Sequence, residues 1–199
     1  ENYTVLIDQG KEINDVDVGY SGQLNIGDGG KANNILASVG GRVILTSGAE
    51  VNNVINKTGY IIVYDSAEIN NFTNNNGKII VSGGAIVNGF SQSAGSATFM
   101  AGARINSAYI LGFGTVYDDV VLNDVRTGAY LKVSGGVLNN VQNLRSLGLY
   151  SGSEVNNLLI GDYITESYAS TYLYEGAVAS NVEISSHSKL YISGGTAYD

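Results

Sequence analysis

The sequence predicts an all-β fold, a single-domain parallel β-helix (β-solenoid) of about ten to eleven coils of roughly 18 residues, running through 1–199. Three observations predict it. An apolar residue followed by Asn returns at a nearly constant interval. The stretches between copies alternate apolar and polar with period two, and no segment carries capped 3.6-residue spacing.

The repeat is plainest from Val43 to Val54 (VILTSGAEVNNV) and from Leu149 to Leu158 (LYSGSEVNNL). Aligning its copies places the first Asn at Asn14, Asn33, Asn52, Asn70, Asn88, Asn106, Asn123, Asn139 and Asn156, with Ser180 in the tenth place. The intervals are 19, 19, 18, 18, 18, 17, 16, 17 and 24. Asn is 22 of 199 residues, so nine Asn in ten aligned places exceeds what composition supplies.

The strand segments follow from the alternation. Val43/Leu45, Ile61/Val63, Ile79/Val81, Ala97/Phe99, Leu147/Leu149 and Leu190/Ile192 would point one way and their neighbours the other. Gly22, Gly41, Gly59, Gly77, Gly95 and Gly114 precede these strands and are expected to take positive φ at a corner. So short a strand cannot bury a face alone. Stacked coils about 4.8 Å apart bury a continuous core and make a rod about 50 Å long. The recurring Asn reads as a structural ladder, each amide donating to the Asn one coil along in a partly dry corner. The long interval before Ser180 places a loop insertion at 161–168.

Composition excludes several functions. Without cysteine there is no disulfide framework, thiolate metal site or cysteine nucleophile. A net charge of -8 disfavours nucleic acid or an anionic membrane as main partner. No apolar run approaches the length of a membrane span, so the chain is not expected to be membrane-embedded. With 44% apolar residues a core can form. No cofactor and no metal are expected. No signal peptide or translocating barrel is legible, and the chain reads as lacking its targeting segments or as a piece of something longer.

Candidate chemistry is sparse. His187 stands among serines without a Gly-x-Ser-x-Gly elbow and reads as part of a polar corner. Asp118, Asp119 and Asp124 with Arg126 are the best acidic group for a polysaccharide-degrading site. Asp118 and Asp119 would face opposite sides of an extended strand, which favours a solvated corner. Gly27-Asp28-Gly29-Gly30 is a single fragment of a calcium-binding roll that needs several copies. Ile44, Ile62 and Ile80, with Leu6 on the same line, would form an outward apolar stripe for self-association. Tyr150, Tyr172, Tyr174 and Tyr191, with Tyr64, are outward aromatics suited to glycan contact.

The phrases Ser82-Gly83-Gly84-Ala85, Ser134-Gly135-Gly136-Val137 and Ser193-Gly194-Gly195-Thr196-Ala197 resemble the strand-loop-strand repeats of AIDA-type autotransporter adhesin passengers. The resemblance spans essentially the whole chain, with fewer Thr and more Asn-Asn pairs than typical members have. It implies an extracellular or bacterial cell-surface β-helix used in adhesion and self-aggregation. It also implies O-linked heptosylation by a glycosylating transferase, with outward residues such as Ser47 and Ser82 as acceptors. The expected function is that of a non-enzymatic, surface-displayed or secreted adhesin or self-association module. Its partners would be copies of itself or a host-surface protein or glycan. The alternatives are a carbohydrate-active β-helix enzyme, lyase or glycosidase-like, and an inert structural spacer.

Overall fold

The structure, a computed structural model, describes residues 3–8, 10–27, 29–46, 48–64, 66–164 and 168–199. Among them every regular element is a strand, 22 in all, divided between two 11-stranded sheets. Strands of four or five residues, such as Arg42–Leu45 and Tyr60–Val63, form one sheet. Seven-residue strands, such as Glu50–Asn56 and Glu68–Asn74, form the other, which ends in the two-residue Thr196–Ala197. The chain alternates between the sheets, and neighbours within each sheet come from consecutive coils in parallel register. This is a parallel β-solenoid, as the repeat predicts.

Register follows from burial. Val43, Ile61, Ile79 and Ala97 stack through the short-strand sheet, and Val51, Ile69, Val87 and Ile105 through the long-strand sheet. All eight side chains are buried in one continuous apolar core. A fully buried Ile, Val or Leu contributes about 1.5–3 kcal/mol, so a slip of one residue would turn a whole column to solvent. Phe72, Phe90 and Phe99 fill the centre edge to face, their rings 5.6 and 5.5 Å apart.

The long strand wraps around this core because its fourth residue is left-handed. Asn34, Asn53, Asn71, Asn140, Asn157 and Asn181 have φ between 49° and 62°, and Asp15, Gly89, Ser107 and Asp124 hold the same place in other coils. Outside glycine, Asn and Asp tolerate this conformation best. The bend breaks the alternation: Val51 faces in, Asn52 and Asn53 both face out, and Val54 faces in again. The recurring Asn-Asn pair is therefore a strand-bending device.

The glycines differ from expectation. Of the six expected at positive φ, only Gly95 adopts it, at 79°. The others are required by close approach or lie elsewhere. A Cβ on Gly59 would sit 2.8 Å from both the Ala37 Cβ and the Gly41 carbonyl oxygen of the preceding coil. Gly114 is not at the corner: it pairs with inward Ala97, and the next coil's Leu131 fills the space that its Cβ would take.

Candidate functional site

The outward Asn row forms a hydrogen-bonded file along the long-strand sheet. Asn33 Nδ2 donates to Asn14 Oδ1 at 2.7 Å, Asn52 to Asn33 at 2.8 Å, Asn70 to Asn52 at 3.2 Å and Asn88 to Asn70 at 2.9 Å. The file continues through Asn106, Asn123, Asn139 and Asn156 at 2.8–3.0 Å, and the Ser180 hydroxyl donates to Asn156 Oδ1 at 3.1 Å. A second file joins the left-handed residues: Asn34 donates to Asp15, Asn53 to Asn34 and Asn71 to Asn53. It stops at Gly89 and Ser107, then resumes as Asn140 donates to Asp124, Asn157 to Asn140 and Asn181 to Asn157. The expected dry corner is corrected here. The bend turns both rows outward, and their side chains are exposed or half-buried.

A third set of amides is buried, and the sequence reading missed it. The last residue of every seven-residue strand but Val178–Ile184 faces inward, and here stand the amides of Asn56, Asn74, Gln92 and Asn143 with the hydroxyl of Thr127, all 0% exposed. Asn74 Nδ2 donates to the Gly77 carbonyl at 3.2 Å, and its Oδ1 accepts from the Gly77 N–H at 3.1 Å. Asn143 Nδ2 donates to Ser170 O and Thr171 Oγ1 at 2.9 Å, and its Oδ1 accepts from Arg145 N at 3.0 Å. These amides close the corner between the sheets. A signal existed in Asn56-Lys57-Thr58-Gly59 and Asn74-Asn75-Asn76-Gly77, where an Asn takes an apolar position three residues before a Gly.

The short-strand sheet presents a different surface. Ile44, Ile62 and Ile80 are in register on three consecutive rungs, outward and half-buried. Asn25 stands between Leu6 and Ile44, so the stripe is three residues long and Leu6 is apart from it. Further along the same row Tyr172 and Tyr191 stack, centroids 4.9 Å apart and planes 7° from parallel. Tyr150 and Tyr174 stack at 4.6 Å in the next row, with Lys132 Nζ 5.1 Å from the Tyr150 ring. Tyr64 is half-buried, far from this cluster in sequence. The Tyr130 and Tyr150 hydroxyls share a hydrogen bond of 3.3 Å. That bond, aided by burial, pushes the Tyr130 hydroxyl up to about 12. Burial and Tyr150 also raise Tyr174.

The other candidates do not assemble. Asp118 and Asp119 are both exposed, because Asp119 lies in a left-handed turn (φ 60°) and not in an extended strand. They line a shallow hollow of about 660 Å³ with Arg104 and Glu154. Asp124 lies on the strand bend, bonded to Asn140, and lines a separate hollow with Arg126. Arg126 reaches Asp162 at 3.8 Å. His187 is an exposed turn residue beside the Tyr168 ring, while Ser185 and Ser188 hydrogen-bond each other. Among the described residues no three His, Asp or Glu are placed to hold a metal, and no helix is long and apolar enough to cross a membrane.

The segment expected as an insertion lies between the strands Glu154–Ile160 and Ser170–Tyr174, with Tyr163, Ile164 and Tyr168 exposed. Within it residues 165–167 lie outside the described residues, as do Ser47 and Asp28 elsewhere. Ser82, the other expected acceptor, is half-buried at the end of a short strand.

The groove that the sequence reading did not anticipate lies where long strands end and short strands begin. It holds about 830 Å³, with Gly41, Gly59 and Gly77 in its lining beside Arg42, Tyr60 and Lys78. Arg42 Cζ lies 5.6 Å and Lys78 Nζ 5.4 Å from the Tyr60 ring centroid.

No family model matches this chain, and no curated protein matches it in sequence. Among solved structures, the crystal structure of a TibC-catalyzed hyper-glycosylated TibA55-350 fragment aligns with 98% of this chain and 86% of that one. The TM-score is 0.57 and the identity 18%. This chain has the fold of that fragment.

Proposed function

We propose that this chain is a non-enzymatic β-solenoid displayed at the bacterial cell surface or secreted, where it acts as an adhesin or self-association module. The observation that carries the proposal is the outward surface of the short-strand sheet. There Ile44, Ile62 and Ile80 lie contiguous on a rod whose other outward rows are largely polar, and two tyrosine pairs stack in the open. Contiguous apolar and aromatic surface on a rigid scaffold suits an interface. Partners are copies of the chain or a host-surface protein or glycan. The fold shared with a hyper-glycosylated TibA fragment supports a glycosylating transferase as a further partner, acting on outward hydroxyls such as Ser82. The Asn files act as structural ladders. Scattering of Asp118, Asp119 and Asp124 over two hollows favours adhesion over glycan hydrolysis.

The test replaces the stripe. Ile44→Lys, Ile62→Lys and Ile80→Lys together should abolish self-association in sedimentation velocity and leave the melting temperature within a few degrees of the parent. Self-association unchanged in a folded triple variant removes the stripe from the interface. Turnover of a polysaccharide panel by the parent chain would overturn the non-enzymatic reading.

A further inference from the structure

We infer that the groove at Arg42, Tyr60 and Lys78 binds an acidic saccharide, a sugar chain carrying carboxylate or sulfate groups. Resting on the adhesive role proposed above, this names the class of ligand held by one part of the surface.

Shape comes first. Arg42, Tyr60, Lys78, Ser96 and Phe113 are in register on five successive rungs, each the first residue of its short strand. Four spacings of about 4.8 Å make a track about 19 Å long, the length of a short oligosaccharide. The floor is backbone. A Cβ at Gly59 would meet Gly41 O and Ala37, and one at Gly77 would run into the Asn56 amide. These contacts lie on the core side, against buried Ala37 and Asn56, and oblige the floor to be glycine. The floor carbonyls are engaged, since Gly41 O accepts from Tyr60 N and Gly59 O from Lys78 N. Recognition falls to the wall.

The wall is cationic and aromatic. Arg42 and Lys78 flank Tyr60 from the rungs on either side, and Phe113 is 69% exposed at the far end. None of the lining residues is a carboxylate. Among the described residues neither cation has an ion-pair partner, whereas Lys11, Lys31 and Arg126 are paired with Asp8, Glu50 and Asp162. In a chain of net charge -8, no Asp or Glu occurs between Glu68 and Asp118. Most of the track therefore lies where the chain's own negative charge is thinnest. Arg presents a planar fork to carboxylate or sulfate, and a Tyr ring offers an apolar face with a wet edge to a sugar ring. Two cations are too few to neutralise the run of phosphates on which nucleic-acid affinity rests, whereas a sugar chain adds contact of its ring with the open face of Tyr60.

Titration calorimetry on the full chain tests this with a heparin-derived hexasaccharide and hexagalacturonate as probes, and maltohexaose and single-stranded DNA as controls. At least one acidic sugar should bind, more weakly as salt rises. Arg42→Gln with Lys78→Gln should weaken it about tenfold or more, as should Tyr60→Ala, with the melting temperature unchanged. Lys132→Gln, beside Tyr150, should leave affinity as it is. Equal binding by the double variant, equal binding of maltohexaose or DNA, or no binding of either acidic sugar each overturns the inference. Cell adhesion and sedimentation of the parent separate the two proposals: a chain that adheres or self-associates and binds neither acidic sugar keeps the adhesive role and loses this site.

Discussion

Asn52, Asn70 and Asn88 face outward on the long-strand sheet, and Ile44, Ile62 and Ile80 face outward on the short-strand sheet of the same three coils. The first trio spends its hydrogen-bonding capacity within the molecule, each amide on the next at 2.9–3.2 Å. The second trio is aliphatic and half-exposed, and has no hydrogen-bonding capacity to spend. Adjacent rows repeat the contrast, with Asn34, Asn53 and Asn71 linked on one sheet and Arg42, Tyr60 and Lys78 open on the other. A solenoid gives each row of residues one neighbour above and one below. A row of amides can therefore saturate itself, whereas a row of aliphatic, aromatic or cationic side chains cannot. Stability can be assigned to one surface and recognition to the other on a single repeating frame.

That division can be broken by substitution. The largest effect is expected inside, where Asn74 belongs to the long strand yet faces the core. Asn74→Leu leaves the buried Gly77 N–H without its acceptor, at a cost of about 1–3 kcal/mol in urea unfolding. A loss as small as that of an exposed Asn would mean that the corner does not depend on this amide. Next come the outer amides. Asn52→Leu and Asn70→Leu should each cost about 0.5–1.5 kcal/mol, less than the dry-corner expectation, because water replaces the lost partners. Neither should change self-association in sedimentation, and a change in either would show that the two surfaces are not separate.

The smallest effect is a pH dependence on the short-strand side. The Tyr130 hydroxyl sits above its ordinary value of 10.0, at about 12, chiefly because of its bond to Tyr150. The folded chain holds this proton more tightly than the unfolded chain. Its contribution to stability is therefore intact below about pH 10 and lost as pH rises through about 12. Absorbance titration of the tyrosines should show a late-ionising component that Tyr130→Phe removes. A late component of undiminished amplitude in that variant would assign it to another tyrosine.

Much of this was legible in the residues. A single Asn per coil, aligned across nine coils, carries both the repeat length and the register, because one misplaced coil would turn its apolar pairs outward. The alternation at Val43/Leu45 and Ile61/Val63 carries the facing of the short strands. Three things were not legible. Glycine at a corner is compatible with left-handed backbone and with crowding by the previous coil, and only packing distinguishes Gly95 from Gly59. Amides look alike in sequence whether they face water, as Asn52 does, or the core, as Asn56 does. The left-handed residue at Asn53 shifts the alternation by one and moves the inward positions after it. The groove was missed because Arg42, Tyr60 and Lys78 are 18 residues apart in sequence and form a wall only when the coils stack.

The Asn file also has a direction. In every link the donor belongs to the later coil and the acceptor to the earlier one, from Asn33 on Asn14 to Ser180 on Asn156. A coil joining the array thus brings an N–H to an oxygen that is already held in place, and then offers its own oxygen to the coil that follows. Contacts reach back only 16 to 24 residues along this file, so each increment closes a short loop. A coil added at the other end would meet the same file from its N–H side, so the array can grow one coil at a time from either end, with every finished coil serving as template for the next.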